Sequence, residues 1–407
     1  MNSNRFAALD PNPYCPLEGK YEIRNLILLP AGNERDAIRC QLRNVSLSTH
    51  PSYEAVSYCW EGNDRSSLVW LKDRKHYVTD NLDSFLRFRR HCSQSLTLWI
   101  DALCISQSDD KEKERQVLLM GSMYLLSERL TIWLDPPADE SNLAIATMLY
   151  IAEGDDEKIP YLTSEYSFAV SAFFSRRWWT RIWILQEFIL GSIGSKIEIT
   201  TLKCGNDEIP WSAFETAVQR IHWYQVESRQ YFPSVQKIID MLDLRSLVTG
   251  DGNYESQNAL LSGQGLKSAP SILDLVISHR NFGASDPRDK IYGLLSLALR
   301  NEPAFKSLIP DYTIPAIELF MTFAYSAIIA SNSLAILSHC RGQSLEDIPS
   351  WIPDWSHNRN GQILGGPVAT TEDRSGDRIE SDTDRNAIGD TNYPREDDTL
   401  TDQLPRR

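Results

Sequence analysis

This sequence lacks an apolar run of the roughly 18–20 residues that a membrane-spanning helix needs. Residues 1–15 also lack the apolar core of a secretory signal peptide. The seven cysteines are odd in number, widely spaced and without a C-x-x-C pair. This pattern argues against a disulfide framework and against a structural zinc site. We therefore expect reduced thiols and a cytoplasmic location.

Positive charge is scarce as well, because the formal net charge is −14. Phosphate backbones and anionic membrane surfaces attract positively charged proteins, so we do not expect nucleic-acid binding. The seven histidines show no H-E-x-x-H or H-x-H spacing, and no Walker A or G-x-G-x-x-G motif is present. The sequence thus predicts no metal site and no firmly bound cofactor.

What the sequence does contain is a series of short apolar runs and alternating segments, which predict strands. These predicted strands cover residues 23–29, 39–45, 53–58, 69–78 (as a hairpin), 96–100, 130–134 and 196–201. Helical spacing of apolar residues predicts helices over 81–91 and 141–152, and a third that is capped by Ser108 or Asp109 and runs to about 127. The alternation of strand, helix and strand from residue 53 to 152 predicts an α/β layer with parallel strands.

Composition divides the chain into four parts. We predict a flexible arm over 1–20, an α/β domain over 21–205 and a mainly helical region over 206–356. Residues 357–407 are rich in Asp, Glu, Arg, Thr and Gly and contain almost no large apolar residue. Such a segment cannot bury enough apolar surface to fold, so we predict a disordered acidic tail.

Polar residues follow three of the predicted strands. Trp60 and Glu61 come after the strand at 53–58, Asp101 follows the strand at 96–100, and Asp135 follows the strand at 130–134. Ligands of open α/β sheets bind beyond the carboxyl ends of the strands, so these residues are candidates for one pocket. The alternative is that the two aspartates only cap or turn the chain.

A second candidate is the segment RRWWTRIWILQEFIL at 176–190, which we predict to be one buried helix. Trp179, Trp183 and Glu187 then lie at i, i+4 and i+8 and share a face. Indoles can stack on a nucleotide base, and a carboxylate can stabilise an oxocarbenium-like transition state. In the alternative reading, the tryptophans are core residues and Glu187 pairs with an arginine of another element, because Arg181 has the wrong spacing for a pair along one helix.

Several blocks of this sequence, in order, resemble the fungal heterokaryon incompatibility (HET) domain family. They are IRNLILLPAG, YEAVSYCWEG, LWIDALCISQ with ERQVLLMGSMYLLSERLTIWL, and RRWWTRIWILQE. The segments DPRDKIYGLLSLA, PDYT and IPSWIPDWS resemble regions that commonly follow this domain. The resemblance spans about residues 21–356. One departure is Glu61, which stands where the family usually has glycine directly after the tryptophan.

The resemblance implies a role in fungal non-self recognition, in which such proteins trigger incompatibility cell death. It also implies a core distantly similar to TIR domains, with a flavodoxin-like parallel sheet flanked by helices. Some TIR domains cleave NAD with a glutamate on a helix, and others only assemble.

Two functions therefore remain open. The first is a signalling module that self-associates or binds another incompatibility protein. The second is a TIR-like effector that cleaves NAD or another nucleotide, with Glu187 as the catalytic carboxylate. Its pocket would be lined by Trp60, Glu61, Asp101, Trp179, Arg181, Trp183 and Gln186. A Glu187 carboxylate that is accessible from the crevice at the sheet edge would favour the enzyme. A Glu187 that is sealed in a pair with an arginine would remove the main support for the enzyme.

Overall fold

The structure is a computed structural model, and it describes residues 13–60, 65–154, 164–228, 233–249, 270–298, 303–305, 308–340 and 348–356. Most of the predicted N-terminal arm, Glu61 and the predicted disordered tail at 357–407 lie outside the described residues. Within the described residues, no helix is both long and apolar enough to cross a membrane.

Nine strands form one mixed sheet in the described part of the chain. The strands are β1 Glu22–Leu28, β2 Ile38–Ser46, β3 Glu54–Tyr58, β4 Ser67–Leu71, β5 Arg74–Val78, β6 Leu96–Trp99, β7 Arg129–Trp133, β8 Thr201–Cys204 and β9 Asp207–Pro210. Their spatial order is β5-β4-β2-β1-β6-β3-β7-β8-β9. Six of the seven strand regions predicted from the sequence are confirmed. The seventh prediction, at 196–201, is wrong over most of its length, because Gly194–Ile199 is a 3₁₀ helix and β8 begins at Thr201.

The centre of the sheet is parallel, as predicted, whereas its margins are mixed, because β4 pairs in parallel with β2 and antiparallel with β5. Strand β3 pairs in parallel with β6 and β7, and β7 pairs in parallel with β8. Strand β1 pairs antiparallel with both β2 and β6, and β9 pairs antiparallel with β8. The expectation of a parallel sheet therefore holds for β6, β3, β7 and β8, while the short connections β1–β2, β4–β5 and β8–β9 give antiparallel pairs.

Helices cover the sheet and continue beyond it. Those described are α1 Asp80–Arg89, α2 Asp101–Cys104, α3 Asp110–Leu126, α4 Ser141–Glu153, α5 Ser164–Phe174, α6 Trp183–Gly191, α7 Trp211–Ser228, α8 Pro233–Thr249, α9 Ile272–Ser278, α10 Asp289–Tyr292 and α11 Ala316–Ser331. Helix α3 begins where the sequence predicts, because the Asp109 side chain accepts a hydrogen bond from the backbone of Glu112 at 3.1 Å. The fold is α/β, with a mainly helical part after β9.

The prediction of one continuous helix over 176–190 is wrong. Residues Arg177–Thr180 form a 3₁₀ turn, Arg181 is extended with φ −81° and ψ 136°, and α6 begins only at Trp183. The interruption has a tertiary cause. Arg181 forms a parallel β-bridge with Gly283, and the backbone N–H of Ile182 donates to the Gly283 carbonyl at 2.8 Å. This long-range bridge ties the segment before α6 to the helical part of the chain.

Close packing joins the helical part to the α/β core at another point. A Cβ atom on Gly121 in α3 would lie 2.6 Å from the Cβ atom of Ser296. A Cβ atom on Gly191, the last residue of α6, would lie 2.9 Å from a methyl group of Leu130 in β7. Glycine at these two positions therefore lets helix and neighbour approach closely.

Candidate functional site

The carboxyl ends of β3 and β6 bring Trp60 and Asp101 together, as the sequence predicts. The indole Nε1–H of Trp60 donates to both carboxylate oxygens of Asp101, at 3.2 and 3.1 Å. Trp60 keeps 37% of its surface exposed. Burial raises the pKa of the Asp101 carboxyl group, and the neighbouring Arg181 guanidinium opposes that rise.

Glu187 lies beneath this edge and is only 1% exposed. The Ser57 hydroxyl of β3 donates to Oε2 of Glu187, and the indole Nε1–H of Trp178 donates to the Ser57 oxygen at 2.8 Å. Nη2 of Arg181 lies 3.7 Å from the other carboxylate oxygen, Oε1. Both oxygens of Glu187 therefore have partners inside the protein.

Arg181 contacts several parts of the fold at once. Its Nη1 donates to the carbonyl oxygen of Tyr58 at the end of β3, and its backbone bridges to Gly283. The expectation that Arg181 could not pair with Glu187 is wrong, because it assumed one continuous helix. The extended conformation at Arg181 turns the chain, so that the guanidinium reaches back to the carboxylate.

The electrostatics follow from burial. Burial raises the pKa of the Glu187 carboxyl group to about 7, and the charge of Asp101 adds to that rise. Arg181 and the hydrogen bond from Ser57 oppose it. The site thus holds two carboxylates and one guanidinium, and desolvation favours a proton on one of the carboxylates near neutral pH.

Trp179, a predicted pocket residue, is not part of this site. Its ring stacks on Phe214 with centroids 5.2 Å apart and an interplanar angle of 14°, and it also packs against Phe173 and Phe174. Its Nε1–H donates to the Phe173 carbonyl at 2.9 Å. The core alternative is correct for Trp179, because the break at Arg181 removes it from the helix that carries Glu187.

Trp183 and Gln186 do lie on α6 with Glu187, but they have other surroundings. Trp183 is half-buried, and its side chain hydrogen-bonds Asp289. Tyr312 also donates to Asp289, at 2.8 Å. Burial raises the pKa of the Asp289 carboxyl group to about 6, against the effect of these two hydrogen bonds. Gln186 is 1% exposed, and its Nε2 has no hydrogen-bond partner among the described residues.

Two groups of functional interest give no clear signal in the sequence. Ser57 and Trp178 hold Glu187, yet a serine in an apolar strand and one tryptophan of a pair look ordinary. The second group is at Asn81, whose Nδ2 donates to the Cys59 carbonyl at 2.9 Å and to Asp135 Oδ1 at 2.6 Å. Asp135 has a positive φ of 81°, a backbone conformation that is common in turns. Asn81 therefore links the ends of β3 and β7.

The described residues contain no group of three or more His, Cys, Asp or Glu side chains that could hold a metal ion. At the sheet edge, the structure brings together one indole, two carboxylates and one guanidinium. Trp60, Asp101, Arg181 and Glu187 come together there, as the sequence predicts, whereas Trp179 does not.

Comparisons with known proteins agree with this chain's motifs. Residues 53–187 match the family described as "Heterokaryon incompatibility protein (HET)". The chain is 26% identical over 413 residues to "Heterokaryon incompatibility protein 6, OR allele" of Neurospora crassa. That similarity covers 84% of this chain and 58% of the relative's length. No solved structure matches the chain significantly. Residues 53–187 therefore correspond to a HET domain, and the chain as a whole is similar to a fungal heterokaryon incompatibility protein.

Proposed function

We propose that this protein acts in fungal non-self recognition and promotes incompatibility cell death by self-association or by binding another incompatibility protein. The name of the Neurospora relative and the HET match at 53–187 support the biological role. The free cysteines in the described part of the chain suit the reducing cytoplasm, which we propose as its location.

The closure of Glu187 is the observation that carries the mechanism. A catalytic carboxylate must reach a substrate atom, within hydrogen-bond distance or through one water. Glu187 is 1% exposed and is already engaged by Ser57 and Arg181. This geometry favours a structural role for the carboxylate, and with it a module that works by assembly.

We further propose that the core is TIR-like, with a flavodoxin-like sheet. The four parallel strands β3, β6, β7 and β8 occur in that order along the chain. Their spatial order is β6-β3-β7-β8, which is 2-1-3-4 in chain order. The flavodoxin-like arrangement begins with the same order. At the switch point between β3 and β7, the Asn81 amide spans from Cys59 to Asp135. The ligand position of that fold thus holds an internal hydrogen-bond network.

A TIR-like effector that cleaves NAD or another nucleotide is the second candidate. Trp60 supports it, because its indole is 37% exposed at the carboxyl edge of the sheet and is oriented by Asp101. Arg181, with 19% of its side chain exposed, interacts electrostatically with Asp101 and could attract a phosphate. In this candidate Glu187 must leave Arg181 before it can act.

An inducible copy of the full chain in fungal cells separates the two candidates. Cell death and total NAD are followed together after induction, for the wild type, Glu187→Gln and Trp60→Ala. Assembly predicts death of the host while NAD stays constant until membranes fail. Loss of NAD before death, absent in Glu187→Gln cells, would reject assembly in favour of the enzyme.

A further inference from the structure

Arg181 forms a junction between separate parts of the fold. Its backbone is bridged to Gly283, and the backbone N–H of Gly283 donates to the Thr180 carbonyl. Its guanidinium reaches the Tyr58 carbonyl and the Glu187 carboxylate. One residue thus connects the edge of the sheet, helix α6 and the segment between α9 and α10.

The charges at this junction do not balance. The ionisable groups that face Glu187 are Arg181 before α6, Asp101 at the start of α2, Tyr58 of β3 and Tyr124 of α3. Burial raises the pKa of both tyrosines well above the ordinary value, so they stay neutral. Two carboxylates then share one guanidinium, and the cluster carries one excess negative charge unless it binds a proton. Glu187 is buried, whereas Asp101 and Arg181 are partly exposed.

We propose that Asp101, Arg181 and Glu187 form a proton-responsive joint. When the two carboxylates have together bound one proton from solvent, the joint holds the Arg181–Gly283 bridge closed. When that proton leaves, the bridge loosens. The closed state encloses a neutral cluster. The loosened state admits water to the uncompensated charge, which low-dielectric surroundings disfavour.

The position of the titration follows from the same surroundings. The ordinary pKa of 4.5 for glutamate applies when the joint is open, and burial raises the pKa of Glu187 to about 7 when it is closed. The closed joint therefore binds the proton more tightly than the open one. By linkage, the equilibrium constant for opening rises by up to about tenfold for each unit of increase in pH between these two pKa values. Above the higher pKa, it changes little. This inference does not depend on the proposed role in cell death.

Amide hydrogen exchange of the full chain, read by mass spectrometry at several pH values from 5 to 8, tests the joint. Rates are corrected for intrinsic exchange, and peptides from β1 and β2 serve as the internal reference. As the pH rises from 5 to 7, we expect peptides with the backbone N–H groups of Ile182 and Gly283 to lose protection by up to about tenfold per pH unit. The reference peptides should keep their protection.

Three variants decide the cause of any such change. Glu187→Gln removes the titrating group, so protection at Ile182 and Gly283 should become independent of pH. Asp101→Asn leaves one carboxylate for one guanidinium, so the transition should move to lower pH, and it answers the same question if Glu187→Gln does not fold. Glu54→Gln alters the carboxylate that pairs with Arg89 at the other end of β3 and should keep the wild-type response. A flat wild-type profile, or one that neither Glu187→Gln nor Asp101→Asn alters, would overturn the proposal.

Discussion

The Arg181 guanidinium lies 3.7 Å from the Glu187 carboxylate, although the helical spacing of these two residues forbids a pair. The pair exists because the chain is extended at Arg181, where it bridges to Gly283. The candidate catalytic carboxylate of Glu187 is therefore paired with a residue that also links the sheet edge to the helical part of the chain.

The stability of the protein should fall with rising pH because of Glu187. Its pKa is 4.5 when unperturbed and about 7 in the fold, so the folded state binds the proton more tightly. The resulting stabilisation is complete below about pH 4.5 and is lost as the pH rises through 7. Relative to Glu187→Gln, the wild type should lose on the order of 2 kcal/mol in free energy of unfolding between pH 5 and 8.

Urea unfolding of both proteins at matched pH values measures this difference. A constant difference between wild type and variant across the range would show that Glu187 does not titrate there.

Replacing Ser57 should destabilise the fold through two buried groups. Ser57→Ala leaves the Trp178 indole N–H and one oxygen of Glu187 without their hydrogen bonds. Each unsatisfied buried group costs about 1–3 kcal/mol, so we expect a loss of at least 2 kcal/mol in free energy of unfolding. Ser326→Ala, at a buried serine of α11, should stay within about 1 kcal/mol of the wild type. Equal losses in both variants would contradict the special role of Ser57.

The two tryptophans assigned to one pocket by the sequence should behave differently. Trp179→Ala removes an indole that is 2% exposed and packed among phenylalanines, and should cost about 3–5 kcal/mol. Trp60→Ala removes an indole that is 37% exposed and should cost about 1 kcal/mol. Thermal unfolding distinguishes the two. A large loss in Trp60→Ala would place that residue in the core.

The contact between α3 and Ser296 can be tested with a bulkier residue. Gly121→Val should destabilise the protein by about 1–3 kcal/mol, because even its Cβ atom would lie 2.6 Å from the Cβ atom of Ser296. Gly32→Ala is the control, since nothing lies within 4 Å of a Cβ atom there. Chemical unfolding of the two variants should separate them clearly, and equal stability would mean that the helical part does not pack against α3 as described.

The strands could be predicted from the sequence because each is a short apolar or alternating run with a turn beside it, as at β3 and β7. The capped start of α3 could also be predicted from the sequence, because capping depends on neighbours in the chain. The break in the predicted helix at Arg181 could not be predicted, because it results from a bridge to Gly283, which is far away in the sequence. The pattern at 196–201 likewise predicted a strand, whereas Gly194–Ile199 is a 3₁₀ helix and β8 begins at Thr201.

The candidate site shows the same division. Trp60 and Asp101 were predictable, because they follow neighbouring parallel strands and must meet at one edge. The predicted location of Trp179 was wrong, because the prediction extended helical spacing across a segment that is not helical. Ser57 gave no signal, because one serine within a buried strand has neither a motif nor a spacing to mark it.

The most direct test of the central claim uses the purified full chain with NAD, analysed by chromatography for nicotinamide and ADP-ribose. A Glu187 that is held by Arg181 and Ser57 as part of the structure predicts no product above the buffer blank, for the wild type and for Glu187→Gln alike. Nicotinamide release by the wild type that disappears in Glu187→Gln and persists in Ser326→Ala would contradict the account.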